Sequence, residues 1–152
     1  MVPQAFRDCI RFGGVGALER NTRGQSEGDP VGYVLLVEDD ASVGRTVSRV
    51  LRGSRLTWAR SAEDALEEMQ SDPDVAVLLL DLNLKTGPMQ GDDLLAYLTV
   101  HRPELVERTY LMSGELQEDV QHRFSSPVQY LRKPVGIRVL RDVVQSHEPD
   151  PA

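Results

Sequence analysis

Cysteine is nearly absent from this chain of 152 residues, which has a single one, Cys9. One thiol can form neither an internal disulfide nor a cysteine-based zinc site, so we expect a reducing, cytoplasmic location. Long apolar segments are absent as well. The longest uninterrupted run, "VAVLLL" at positions 75–80, is far shorter than the roughly 20 residues that a membrane-spanning helix needs, so we expect no membrane segment.

The chain also has no excess of basic residues. Its 17 Lys and Arg against 24 Asp and Glu give a formal net charge of −7. Because binding to nucleic acid requires cations that neutralise phosphates, we expect no direct contact with nucleic acid. The length and the 40% content of hydrophobic residues instead favour one globular domain with its own core.

The composition divides the chain into three parts. Residues 1–31 are rich in glycine and polar side chains and have no sustained helical or strand period, which predicts a flexible arm or linker. Residues 32–146 alternate short apolar segments with amphipathic ones and form the predicted domain. Residues 147–152 are expected to be a C-terminal tail.

Within the domain, five short segments have the composition of buried strands and alternate with five predicted helices. The third of them, "VAVLLL", is uniformly apolar, as in a parallel sheet that is covered on both faces. We therefore predict a doubly wound α/β fold with a five-stranded parallel sheet and helices on both faces. Asp40 and Ser61 precede the first two helices as predicted N-caps. The predicted strands are "YVLLV", "RLTWA", "VAVLLL", "TYLMS" and "VQYLR".

Polar residues follow these strands where each one ends. Glu38 and Asp39 follow the first strand, Asp81 the third, Ser113 closes the fourth, and Lys133 follows the fifth. The carboxyl ends of parallel strands meet at one edge, so these side chains are expected to converge there. Crowded carboxylates suit a hard cation such as Mg²⁺, beside which a carboxylate can accept a phosphoryl group. The hydroxyl and the ammonium group would stabilise the phosphoryl oxygens.

These segments resemble the receiver domain of two-component response regulators. The resemblance rests on "VLLVEDD", "LLLDLNL", "LMSGE" and "YLRKP", in that order and at compatible spacing. It implies a flavodoxin-like sheet with strand order 2-1-3-4-5 and a Mg²⁺ cofactor. Asp81 would be the phosphoacceptor, and Mg²⁺ would be held by Glu38, Asp39, Asp81 and the main-chain carbonyl of Asn83.

The same resemblance assigns roles to residues around the acceptor. Ser113 and Lys133 correspond to the hydroxyl and the lysine that contact the phosphoryl group, and Tyr130 to the aromatic residue that changes rotamer on activation. Asn83 and Glu115 occupy positions that tune the lifetime of the aspartyl phosphate. The Lys133–Pro134 bond is often cis in this family. From its residue type alone, Tyr130 could equally be a plain core aromatic.

The resemblance also implies partners. The phosphoryl donor would be a histidine kinase or a histidine phosphotransfer domain, and the output would be contact with a downstream protein, with a phosphorylation-dependent homodimer as an alternative. Such a domain is a signalling module rather than an enzyme. The sequence departs from the family after the acceptor, where Lys85 replaces a usual proline and "KTGPMQG" is about two residues longer.

Two other interpretations remain open at this point. A phosphohydrolase of the haloacid-dehalogenase type also uses Asp, Ser or Thr, Lys and Mg²⁺, but it normally has a second Asp two residues after the nucleophile, where this chain has Asn83. A receiver-like module that binds a partner without phosphotransfer is the third interpretation.

Overall fold

One sheet of six strands forms the centre of the molecule. The computed structural model describes residues 19–21 and 32–147, and across the sheet the strands lie in the order β1-β3-β2-β4-β5-β6. Strand β1 is antiparallel to β3, and the other neighbouring strands are parallel. The strands are β1 (Glu19–Asn21), β2 (Tyr33–Val37), β3 (Leu56–Ala59), β4 (Val75–Asp81), β5 (Thr109–Ser113) and β6 (Gln129–Arg132).

Helices cover both faces of this sheet. Apolar residues of α1 and α6 pack on one face, and those of α2, α3, α4 and α5 pack on the other. Renumbered without β1, the parallel strands follow the order 2-1-3-4-5, which confirms the predicted doubly wound fold. The helices are α1 (Ala41–Val50), α2 (Ala62–Ser71), α3 (Gly91–His101), α4 (Pro103–Val106), α5 (Gln117–Gln121) and α6 (Ile137–Ser146).

The central strands are buried on both sides, as their uniform apolarity predicts. In β2, Leu35 and Val37 contribute to the core under α2 and α3, whereas Leu36 contributes to the core under α1 and α6. All three side chains are fully buried. Since successive strand residues point to opposite faces, only a strand covered by helices on both sides can bury such a run.

The starts of the first two helices follow the capping pattern of the sequence. The Asp40 carboxylate accepts hydrogen bonds from the backbone N–H groups of Ser42 and Val43, and the Ser61 hydroxyl accepts one from Asp64. Both predicted N-caps are thereby confirmed. In contrast, the short α4 was not predicted. Pro103 stands in its first turn, where the missing N–H costs no helical hydrogen bond.

Strand β1 is a difference from the sequence prediction. Glu19–Asn21 lies within the segment predicted as a flexible arm, yet it pairs in antiparallel register with β3, Glu19 opposite Trp58 and Asn21 opposite Leu56. The remainder of that segment and the tail beyond residue 147 lie outside the described residues. Across residues 32–147, none of the helices combines the length and apolarity that crossing a membrane demands.

Candidate functional site

The carboxyl ends of β2, β4, β5 and β6 form a polar cavity of about 310 Å³. Parallel strands deliver the residues that follow them to this single edge, which is why residues far apart in the chain meet there. The residues that line the cavity are Glu38, Asp39, Asp40, Asp81, Asn83, Lys85, Gly114 and Lys133.

Three carboxylates converge in the cavity. Each of Glu38, Asp39 and Asp81 offers one oxygen, and these oxygens lie within 4.8 Å of one another. Glu38 and Asp81 are 0% and 3% exposed, so their charges are largely withdrawn from water. A set of oxygen ligands with a net negative charge fits a hard divalent cation such as Mg²⁺. The residues present are thus chemically suited to the metal that the sequence predicts.

Lys133 supplies a positive charge to the same cavity. Its Nζ lies 2.7 Å from Glu38 Oε2 and 3.2 Å from Asp81 Oδ2. Burial by itself lowers the pKa of the Lys133 ammonium, but the ion pairs with Glu38 and Asp81 outweigh this effect and raise the pKa above its ordinary value. The peptide bond between Lys133 and Pro134 is cis, as the resemblance implies.

The Glu38 carboxyl has an unusual acidity. Burial is the largest influence and raises the pKa of Glu38 from 4.5 to about 7, although Lys133 opposes this effect and the nearby Asp81 charge adds to it. A buried carboxylate next to a second one is costly to ionise. A bound divalent cation would favour the ionised form, so metal binding and loss of this proton are coupled.

Backbone amides orient the two other carboxylates. Asn83 N–H donates to Asp81 Oδ1 at 3.0 Å, and Lys85 N–H donates to Asp39 Oδ2 at 2.6 Å. These bonds leave Asp81 Oδ2 facing Lys133 and the cavity. Asn83 lies at the cavity as predicted, and the metal-ligand role of its carbonyl stays a prediction.

The Ser113 hydroxyl forms its hydrogen bonds with Glu115. It donates a hydrogen bond to Glu115 Oε2 at 3.1 Å and accepts one from Glu115 N–H at 3.1 Å. The Tyr130 hydroxyl donates to Ser113 O at 2.9 Å and also contacts Glu115 O. Ser113, Glu115 and Tyr130 therefore form a second group behind the cavity, joined to it through the end of β5.

The loop between β4 and α3 is held in place by contacts that sequence reasoning missed. The Thr86 hydroxyl donates to Arg60 O at 2.8 Å, and Met89 N–H donates to Glu63 Oε1 at 3.1 Å. Gly87 has a φ of +78°, a conformation that favours glycine. The glycine and proline of "KTGPMQG" signal a turn, but no sequence pattern identifies its partners, because Arg60 lies on the connection between β3 and α2 and Glu63 lies in the first turn of α2.

The chain's single tryptophan packs directly beneath the site. Trp58 is 1% exposed, and its indole N–H donates to the backbone carbonyl of Glu38 at 2.8 Å. Gly44 of α1 leaves room for the ring, since a Cβ at that position would lie 1.9 Å from a Trp58 ring carbon. The indole is thus coupled to the backbone that carries two of the three carboxylates.

Solved structures with this architecture include several receiver domains. The chemotaxis protein CheY4 of Vibrio cholerae matches with a TM-score of 0.65 at 20% identity, over 77% of this chain and 98% of that one. The receiver domain of NtrX from Brucella abortus matches with a TM-score of 0.64 at 23% identity, over 75% and 96%. The chain has the receiver-domain fold.

A third structure with the receiver fold contains a metal. The Mn²⁺-bound form of the response regulator Rcp1 matches with a TM-score of 0.57 at 26% identity, over 74% of this chain and 88% of that one. No protein-family profile matches the chain, and no curated protein sequence matches it. Its likeness to receiver domains is therefore carried by the fold and by the residues at the strand ends.

Proposed function

We propose that this chain is a phosphoacceptor receiver domain of a two-component system, with Asp81 as the acceptor and Mg²⁺ as the cofactor. The observation that carries the proposal is the arrangement of Glu38, Asp39 and Asp81 within 4.8 Å, with the Lys133 ammonium 3.2 Å from the Asp81 carboxylate. This combination provides an oriented carboxylate nucleophile together with positive charge for an incoming phosphoryl group.

The proposed reaction is a phosphoryl transfer from a phosphohistidine. An Asp81 carboxylate oxygen attacks phosphorus, the N–P bond breaks, and the imidazole nitrogen leaves, which yields an aspartyl phosphate. Mg²⁺, held by Glu38, Asp39, Asp81 and the Asn83 carbonyl, would offset the negative charge of the phosphoryl oxygens. Lys133 is already placed beside the acceptor and would ion-pair with the product. Attack by water on phosphorus later breaks the bond to the Asp81 oxygen and releases the free carboxylate and inorganic phosphate.

Transfer is proposed to alter the region behind the cavity. A phosphoryl group on Asp81 offers new acceptor oxygens to the Ser113 hydroxyl, whose present acceptor is Glu115. Tyr130 contacts the backbone of both residues and would respond to their movement. The donor would be a histidine kinase or phosphotransfer domain in the cytoplasm. The output would be contact with a downstream protein, or a phosphorylation-dependent homodimer.

The hydrolase interpretation is less well supported by the site. Such an enzyme needs a second acid to protonate its leaving group, and the residue two positions after Asp81 is Asn83. Asp40 is the remaining carboxylate that lines the cavity, and it caps α1 by accepting two backbone hydrogen bonds. A receiver, which is labelled once per molecule, fits this set of groups better.

Labelling with acetyl phosphate and Mg²⁺ tests the proposal. We expect one phosphoryl group per chain, located at Asp81 by mass spectrometry of peptides, and none in the Asp81→Asn variant. Asp142→Asn is the matched control, because it makes the same change at an exposed position on α6, and it should label like the original protein. Labelling that persists in folded Asp81→Asn contradicts the proposal.

Two further outcomes separate the alternatives. Continuous turnover of a small phosphate ester, dependent on Asp81, would support the hydrolase. Folded protein that is not labelled with Mg²⁺ present would support a module that binds without phosphotransfer.

A further inference from the structure

The Ser113 hydroxyl is engaged in two hydrogen bonds, both with one residue. It donates to the Glu115 carboxylate and accepts from the Glu115 amide, each at 3.1 Å. Ser113 is 0% exposed, so its hydroxyl is shielded from solvent. If the hydroxyl is to reach a phosphoryl group on Asp81, its bond to the Glu115 carboxylate must break.

Arg123 holds the Glu115 carboxylate from the other side. Its Nη1 lies 2.9 Å from Glu115 Oε2, the same oxygen that accepts the Ser113 hydrogen bond. Its Nη2 pairs with the Asp92 carboxylate. One guanidinium therefore joins two carboxylates, from the loop after β5 and from the first turn of α3.

Asp92, one of the two carboxylates that Arg123 contacts, lies next to a residue that packs on the proposed phosphoacceptor Asp81. Gly91, the preceding residue, packs so closely on the acceptor strand that a Cβ there would lie 2.4 Å from the Asp81 carbonyl oxygen. The first turn of α3 is thus in contact with the backbone of Asp81 itself. Through Asp92 and Arg123, the position of Glu115 is tied to the residue that the proposed reaction modifies.

We propose that Arg123 is a positioning residue that holds the Glu115 carboxylate against Ser113 and so keeps the hydroxyl proton engaged with Glu115 until a phosphoryl group is present on Asp81. This inference rests on the proposed function and adds to it a residue that affects the equilibrium between the two hydrogen-bonding arrangements of Ser113. Phosphorylation places the new oxygens in competition with the Glu115 carboxylate for one hydroxyl proton. Arg123 favours the unswitched arrangement because it fixes the competing acceptor.

The ion pairs of Arg123 with Glu115 and Asp92 are weakened by their exposure to solvent. The side chains of Arg123, Glu115 and Asp92 are 35%, 43% and 34% exposed, so solvent screens both ion pairs. Releasing Glu115 should shift the equilibrium about two- to fivefold, the range that partly exposed ion pairs support. Arg123 contacts the two carboxylates through separate nitrogens, Nη1 and Nη2. The single ammonium of a lysine would have to lie within reach of both carboxylates at once, so Arg123→Lys should weaken the bridge.

The test measures the affinity of the full chain for beryllofluoride, a phosphoryl mimic, in the presence of Mg²⁺, with Trp58 fluorescence as the signal. Arg123→Met should tighten binding about two- to fivefold. Arg138→Met is the charge-matched control at an exposed position on α6 and should not tighten binding. Loss of a nearby positive charge would by itself weaken binding of an anion, so tightening has the opposite sign to a simple charge effect.

A double variant tests whether Arg123 acts through the Ser113 hydroxyl. In a Ser113→Ala background, Arg123→Met should have no effect on beryllofluoride affinity, because there is no hydroxyl to release. An equal effect with and without Ser113 overturns the inference. Arg123→Gln, which also removes the guanidinium and its positive charge, should shift affinity in the same direction as Arg123→Met and replaces that variant should it fail to fold.

The outcomes also distinguish this inference from the proposed function. If the original protein neither binds beryllofluoride nor becomes labelled at Asp81, the proposed function fails. If Asp81 is labelled while Arg123→Met and Arg138→Met have the same affinity, only the role of Arg123 is overturned.

Discussion

At the scale of single residues, the buried carboxyl of Glu38 makes the stability of the fold depend on pH. Burial raises the pKa of its carboxyl from 4.5 to about 7, so the folded protein binds this proton more tightly than the unfolded chain does. Below about pH 4.5 both states carry the proton and the group contributes no difference. As the pH rises from 4.5 to 7, the unfolded state releases it first, and the stability of the fold falls.

This linkage gives a pH prediction for the metal-free protein. Over that pH window, the free energy of unfolding should fall less for Glu38→Gln than for the original protein, with a difference on the order of 3 kcal/mol. Urea denaturation at a series of pH values with a chelator present measures it. Glu118→Gln, at an exposed position on α5, is the control and should keep the original slope. Parallel curves for the original protein and Glu38→Gln would refute the prediction.

The residues at the strand ends were predictable, whereas those that support them were not. Asp81 and Lys133 each follow an apolar strand, and a parallel sheet brings such positions together. Arg123 follows the short α5, and its two partners depend on how α3 and the loop after β5 pack in three dimensions. The contact of Lys85 with Asp39 uses a backbone amide, to which side-chain identity gives no clue.

At the scale of elements, the β4–α3 loop is better fixed than its extra length suggests. Glu63 on α2 accepts from Met89 N–H, and its carboxylate lies against Gly87, where a Cβ would meet it at 2.7 Å. Met89 itself is 1% exposed, so the loop contributes a side chain to the core. The loop is therefore anchored by a polar contact with Glu63 of α2 and by the burial of the Met89 side chain in the core.

Removal of the Glu63 carboxylate should release this loop. We expect Glu63→Ala to lower the free energy of unfolding by about 1 kcal/mol, because the Met89 amide loses its acceptor. Hydrogen exchange of peptides that span residues 82–90 should become faster, and exchange in β2 should not change. Glu67→Ala on the same helix provides the comparison. Equal exchange of the loop in both variants would show that Glu63 does not hold it.

The strands and helices that have an apolar pattern were predicted correctly, whereas strand β1 and the short helix α4 were not. Each of the five parallel strands contains aliphatic or aromatic residues that enter the core, and the sheet follows from them. Strand β1 has the sequence "ERN", which has no apolar alternation, and it is defined by backbone pairing with β3. Because its three residues are polar, no apolar pattern in the sequence predicts that this segment pairs with β3.

At the scale of the whole molecule, the acidic cavity links metal binding to stability. Glu38, Asp39 and Asp81 repel one another, and a cation bound only in the folded state would relieve this repulsion. Mg²⁺ should therefore raise the free energy of unfolding, by about 2.7 kcal/mol at a hundredfold excess over its dissociation constant. Asp39→Asn should remove most of the increase, and Asp142→Asn should retain it.

Trp58 allows the same binding to be followed without unfolding the protein. Because its indole N–H donates to Glu38 O, a change at the carboxylates should alter its fluorescence during a Mg²⁺ titration. A titration of the original protein that leaves both stability and fluorescence unchanged would contradict the proposed metal site.

The antiparallel strand β1 has a consequence for how copies of the chain meet. Outer strands of a sheet present unpaired backbone groups to which another polypeptide can add, a common start of aggregation. Here Glu19–Asn21 already occupies the outer side of β3. This strand is now the outermost one on its side of the sheet, and with only three residues it presents few unpaired backbone groups to a neighbouring molecule.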